Sequence, residues 1–254
     1  MTFHSNLATL RNNIIITCEV EVNAKKVDFN FVFCILCSIF AKKNDMCMKL
    51  YFRYSTMNSG KSGMLLMQAF QFEERNVPFL CLKSSIDTRD GDDVIASRIG
   101  IKRPCISVSI EDNLFKLIEE YIANASLEGI DKPLWILVDE CQFLTQKQVD
   151  ELAKVVDDLE VNVLCYGLRT DFMTHLFEGS KRLMEIADDI SEVKSSCSCG
   201  RKAMINARFD SNGNLITDGE QIMIGGNDMY VTLCRKCYYA LLKKQEMKEI
   251  KYEC

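Results

Sequence analysis

The sequence predicts an α/β protein: a parallel sheet covered by helices on both faces, followed by a small ribbon-like lobe. Two runs, Leu134-Trp-Ile-Leu-Val138 and Val161-Asn-Val-Leu-Cys-Tyr166, are almost continuously apolar and lie between helical patterns. Strands of that kind are buried on both faces, as in a parallel sheet with crossover helices. A Gly60-Lys61-Ser62 turn stands between a strand-like and a helix-like stretch. Four cysteines in two close pairs, Cys197/Cys199 and Cys234/Cys237, mark a lobe of different character near the end of the chain.

The elements follow in order. Leu50 to Tyr54 reads as a strand, and the residues from Ser62 to Arg75 as a helix. Pro78-Phe-Leu-Cys-Leu82 is a second strand, and the polar residues 84–93 read as a mobile loop. The spacing of Leu114, Leu117, Ile118 and Tyr121 predicts a helix over 112–123. Thr145 is placed to cap a helix that runs to Leu159, with Val149, Leu152, Val155 and Val156 on one face. Right-handed crossovers between the parallel strands bring the functional loops to the strands' carboxyl ends. After Lys194 short strands and turns take over. Asn212-Gly213 signals a hairpin between Ala207–Phe209 and Leu215–Thr217, and residues 238–251 read as a short helix and tail. The expected division is an extension over 1–47, an α/β domain over 48–194, and a small cysteine-bearing domain with a tail over 195–254. Residues 1–47 are expected to be a loose tail, or to precede a natural start at Met46 or Met48.

Composition narrows the function. A chain of 254 residues can bury about 70–75% of its unfolded surface. Its net charge of −5, without a long basic run, disfavours nucleic acid as the main partner. The apolar run over 29–41 falls short of the ~20 residues that a membrane span needs, so no membrane association is expected. Most of the 13 cysteines sit in apolar runs, as small buried residues do in a reducing, cytoplasmic compartment. With only His4 and His175 present, a histidine-rich metal site is excluded and general-base work falls to a carboxylate.

Three constellations carry chemistry. Ser55-Thr56-Met57-Asn58-Ser59-Gly60-Lys61-Ser62 has the P-loop plan: backbone N–H groups cradle phosphates, the lysine reaches the outer ones and the hydroxyl sits on Mg²⁺. Ser55 stands where the strict pattern has glycine. Asp139-Glu140-Cys141-Gln142-Phe143 follows an apolar strand, the place of a carboxylate that serves the Mg²⁺ of a bound nucleotide. Glu140 should point away from Asp139 and is suited to act as general base on a substrate hydroxyl. Cys197, Cys199, Cys234 and Cys237 have the layout of a structural tetrahedral Zn²⁺ site.

Together these motifs resemble the thymidine kinases of the cellular and bacterial type, P-loop kinases with a zinc-bound lasso. The resemblance rests on Met57 to Ser62, Asp87-Thr-Arg89, Asp139 to Phe143, Tyr166-Gly-Leu-Arg-Thr-Asp-Phe172, Cys199-Gly-Arg-Lys-Ala203, Ile224-Gly-Gly-Asn-Asp-Met-Tyr230 and Cys234-Arg-Lys-Cys237, in the family's order, from about Met48 to about Lys244. Ser55 and the Cys-x-Cys pair match a bacterial variation of the family. The resemblance implies transfer of the γ-phosphate of Mg-ATP to the 5′-hydroxyl of thymidine or deoxyuridine. Lys61 and the loop from Ser55 would hold the donor, with Ser62, Asp139, Gln142 and Asp87 near the metal. Glu140 would be the base and Arg89 would steady the transferring group. Met57, Phe143, Leu168, Phe172 and Tyr230 would wall the thymine pocket, with the backbone at Met223, Gly225 and Gly226 reading the base. It further implies a homotetramer and feedback inhibition by dTTP. Two alternatives are another P-loop ATPase, of motor or recombinase type, and a non-enzymatic zinc-ribbon binding module.

Overall fold

The computed structural model describes residues 48–89, 91, 93–127, 132–133, 135–221 and 230–252. Expectations for residues 1–47, and for Met223, Gly225 and Gly226, fall outside them. From Met48 the chain runs β1 (Leu50–Ser55), α1 (Lys61–Glu74), β2 (Phe79–Ser84), β3 (Val94–Ala96), β4 (Lys102–Pro104), β5 (Ile106–Val108) and α2 (Leu114–Leu127). It continues through β6 (Trp135–Asp139), a 3-10 turn at Cys141–Phe143, α3 (Gln146–Leu159), β7 (Asn162–Leu168), α4 (Glu178–Ile186) and β8 (Asp189–Glu192). The last elements are β9 (Ile205–Phe209), β10 (Leu215–Ile216), β11 (Tyr230–Leu233) and α5 (Arg235–Tyr252).

Six strands form one sheet in the order β5-β2-β6-β7-β1-β8, every pair parallel. Strict alternation sends neighbouring side chains to opposite faces. Ile136 and Val138 join Val163, Cys165, Leu80 and Leu82 beneath α2 and α3, where Leu114, Ile118, Val149, Leu152 and Val155 close one core. Leu137, Leu164, Tyr166 and Cys81 face the other way, against Leu65, Leu66, Ala69 and Phe72 of α1. Each central strand therefore reads as apolar throughout because both its faces are covered.

Helix starts follow local chemistry. Thr145 and Gln148 form a reciprocal capping box, with the Thr145 hydroxyl accepting the Gln148 N–H at 3.2 Å and the Gln148 side chain accepting the Thr145 N–H at 3.1 Å. At α2 the expected start at Asp112 moves to Leu114, because Asn113 accepts the Lys116 N–H at 2.8 Å and Glu151 of α3 accepts that of Leu114 at 2.8 Å. The segment after Lys194 contains the expected hairpin within a three-stranded antiparallel sheet, β10-β9-β11, over a small core of its own. The closing helix α5 extends from Arg235 to Tyr252, further than the short helix the sequence suggested. Among the described residues no helix is long and apolar enough to cross a membrane.

Candidate active site

The loops after β1, β2, β6 and β7 leave the sheet at its carboxyl edge and line one cleft of about 750 Å³. The β1–α1 turn needs two residues in the left-handed region, Asn58 (φ 57°) and Gly60 (φ 82°). Ser55 needs none: it is the last residue of β1, buried, and its hydroxyl donates to the Val193 carbonyl. A side chain is therefore accommodated where the strict pattern has glycine. Thr56 is likewise turned behind the loop, its hydroxyl bonded to that of Ser195. Met57, Asn58, Ser59, Gly60, Lys61 and Ser62 line the cleft.

Lys61 is buried at the start of α1, its Nζ donating to the Thr56 carbonyl at 2.8 Å. Burial lowers its pKa, against the opposing pull of Glu140 and Asp139. Asp139 ends β6 and receives a hydrogen bond from the Ser62 hydroxyl. Its Oδ1 is buried and has no partner. Burial first, and Glu140 second, push its pKa up to about 7. An orphaned carboxylate oxygen beside a hydroxyl is a donor set that suits a hard cation such as Mg²⁺.

Glu140 has partners different from those of Asp139, and because it lies beyond β6 its own backbone, not strand alternation, sets its direction. Its backbone is left-handed (φ 51°), an uncommon state for a residue with a side chain, and it opens the 3-10 turn. One carboxylate oxygen accepts from Arg89 at 2.7 Å and the other from the Gln142 amide. The Gln142 carbonyl oxygen in turn accepts the Leu168 N–H at 2.9 Å. Two glycines permit this packing. A Cβ on Gly167 would lie 2.6 Å from the Cys141 sulfur, and one on Gly179 2.5 Å from the Cys141 carbonyl oxygen. Arg89 also grips Asp87 with two hydrogen bonds, at 2.6 and 3.1 Å. Burial alone would raise the Asp87 pKa, but the Arg89 guanidinium more than reverses this and holds it below the usual value.

Phe143, Leu168, Phe172 and Tyr230 line the apolar end of the same cleft. Phe143 meets Phe177 edge-on at 5.9 Å, and the Arg208 guanidinium lies 5.0 Å from the centre of the Phe172 ring. Several lining residues were not anticipated. Asn206 of β9 is buried and joins three segments: its carbonyl oxygen accepts the Met57 N–H at 2.8 Å, and its amide donates to the Thr170 carbonyl at 2.9 Å. Asp171 accepts from the His175 N–H and the Gln221 amide, tying β7 to the segment after β10. Lys83, at the end of β2, also faces the cleft. Asp171 lies in the Tyr166–Phe172 motif without a role assigned to it there, whereas Asn206 and Lys83 belong to no short motif, so only the fold could gather them.

The four cysteine sulfurs Cys197, Cys199, Cys234 and Cys237 lie within 4.8 Å of one another, with Cys199 and Cys234 3.6 Å apart. Tetrahedral zinc with Zn–S bonds of about 2.3 Å needs sulfurs roughly 3.8 Å apart, so this donor set fits Zn²⁺. Backbone N–H groups of Cys199 and Cys234 lower the Cys197 thiol to about 6, toward the thiolate that a metal binds.

A phosphate-loop turn after β1, with an acid at the end of β6, the next strand but one, and the carboxylate of the following residue in the same cleft, defines the class: a P-loop kinase. Residues 48–238 match the thymidine kinase family. The thymidine kinase of Zymomonas mobilis is 49% identical over 189 residues, covering 74% of this chain and 94% of that protein. Those of Rhodopirellula baltica (49%, covering 74% and 86%) and Vibrio vulnificus (45%, covering 77% and 99%) are similarly close. The chain belongs to the thymidine kinase family. A solved Pif1 helicase from Candida albicans aligns with 67% of this chain and 40% of its own at a TM-score of 0.35 and 12% identity, and so slight a likeness carries nothing further.

Proposed function

We propose that this protein transfers the γ-phosphoryl group of ATP to the 5′-hydroxyl of thymidine, and of deoxyuridine, supplying the monophosphate for DNA synthesis. The observation that carries the reading is the placement of Glu140: its carboxylate, held by Arg89 and Gln142, faces the same cleft as the Gly60-Lys61-Ser62 turn. Phosphoryl transfer depends on positioning and on neutralising charge more than on covalent chemistry.

The loop from Ser55 to Ser62 would hold the donor phosphates, with Lys61 released from the Thr56 carbonyl to meet them. Ser62 and Asp139 would hold Mg²⁺, with Asp87 and Gln142 close by; the ion, when bound, supplies charge neutralisation across the phosphates. Glu140 would take the proton from the 5′-hydroxyl as that oxygen attacks phosphorus. Arg89 would move with the charge from Glu140 toward the transferring group. Met57, Phe143, Leu168, Phe172 and Tyr230 would enclose the thymine ring, with Met223, Gly225 and Gly226 reading its polar edge. The four cysteines would hold a structural Zn²⁺ that keeps the base of this flap rigid.

The split of the chain into a 48–194 nucleotide-binding domain and a 195–254 lasso domain belongs to the same reading. So does inhibition by thymidine triphosphate, which could occupy both the apolar and the phosphate end of one cleft. Assembly as a homotetramer is supported by the exposed apolar side chains Met64, Met67 and Phe70 along α1. A cytoplasmic setting suits the thiol chemistry of the cysteine cluster. The test is purified protein with Mg-ATP and a panel of nucleosides, scored for monophosphate. Thymidine and deoxyuridine should be the products' parents; ATP hydrolysis indifferent to nucleoside, without monophosphate, would contradict the proposal.

A further inference from the structure

Lys83 is one of the largest side chains fully enclosed in the protein, at 2% exposure. Burying an ammonium group is costly unless polar partners replace water. Here both partners are main-chain carbonyls: Nζ donates to Gly91 at 2.8 Å and to Val94 at 3.1 Å. Lys83 pairs in register with Asp139 across β2 and β6 and lines the same cleft.

The two carbonyls sit at the far end of the segment that leaves β2 at Ser85 and carries Asp87 and Arg89. The near end is fixed by the Ser85 N–H on the Val108 carbonyl at 2.8 Å and the Asp87 N–H on the Ser84 carbonyl at 3.1 Å. The far end is fixed by Lys83, and by the Cys105 N–H on the Asp93 carbonyl at 3.0 Å. Between these anchors the Arg89 guanidinium spans Asp87 and Glu140. One ammonium offers several donors from a single atom and can hold two carbonyls at once. The thioether of methionine, of similar length, has no donor and cannot.

We propose that Lys83 is a positioning residue for phosphoryl transfer: its ammonium fastens the Gly91 and Val94 carbonyls, and so sets where Arg89 meets Glu140. This rests on the role given to Arg89 above. A small displacement of a group that stabilises the transition state costs rate more than substrate affinity.

The experiment is a double-mutant cycle with K83M and R89A, measuring kcat, the KM of thymidine and of ATP, melting temperature, and tryptic cleavage after Arg89. K83M is expected to lower kcat about tenfold or more with KM values within about threefold. It should speed cleavage after Arg89 and cost nothing further when Arg89 is alanine. Wild-type kcat in K83M, or the same loss in both backgrounds, would overturn the proposal. Should K83M not fold, K83R carries the test: any loss of kcat it causes must vanish in the R89A background, and a loss that persists there overturns the idea. R89A with normal kcat would instead refute the role of Arg89 itself, a separate outcome.

Discussion

The parallel sheet and the cysteine ribbon are held together by different forces, and the difference shows what each contributes. The sheet lies between two apolar layers, with Leu137 and Val138 on successive residues each at 0% exposure. The ribbon has one small core, and Cys197 and Cys234 are themselves part of it. Apolar burial positions Asp139 and Lys61 without outside help. The ribbon, which presents Asn206 and Tyr230 to the cleft, has a smaller core and would gain most from a metal held by its cysteines.

Removing one cysteine breaks that contrast most strongly. Cys234→Ser should abolish stoichiometric zinc and lower the melting temperature, because a metal held by these four sulfurs would contribute folding free energy. The ribbon should unfold at lower temperature than the sheet, and thymidine affinity should fall with it. Full metal content at an unchanged melting temperature would remove the site.

Asp139→Asn sharpens the comparison from the other side. Its loss should cut kcat by about 10²-fold or more. The same change should stabilise the metal-free protein at pH 8. The wild-type carboxyl has its pKa raised from 3.8 to about 7. Its contribution is therefore fully present below pH ~4 and lost as pH rises through about 7. The asparagine keeps that stability at pH 8 and should show no advantage at pH 4. Melting curves in chelator at both pH values check this.

Two smaller effects follow at the junctions. Gly179→Ala would drive a Cβ against the Cys141 and Leu144 carbonyls and should cost about 1–3 kcal/mol, with the turn after Glu140 displaced. Asn206→Ala leaves the Met57 N–H and the Thr170 carbonyl without their partner and should cost about 1–3 kcal/mol by denaturant melts.

The same contrast explains what was legible in the sequence. β6 and β7 announce themselves because both faces are buried. The acid at the end of β6 and the glycine turn before α1 are local patterns, so the candidate site could be located in the sequence before the fold gathered it. β8 could not be: it is an edge strand, mostly exposed, and its sequence Asp-Ile-Ser-Glu is polar. α4 has only nine residues and buries Gly179 and Ser180 along with Leu183, so few large apolar side chains mark it. β3, β4 and β5 have three residues each, too few to show a pattern; β3 and β4 pair locally as a hairpin, while β5 pairs with β2 across more than twenty residues. Lys83 looks like a solvent-facing strand residue, and Asn206 like an ordinary ribbon amide. Both acquire meaning only when the segments they join are brought together.

The most direct measurement is turnover of Glu140→Gln with Mg-ATP and thymidine, alongside binding of each substrate. The amide keeps the shape of the side chain but cannot accept the hydroxyl proton. Binding near wild type with kcat reduced by about 10²-fold or more is the expected result. Undiminished turnover would contradict the assignment of the carboxylate beside the phosphate loop as the base.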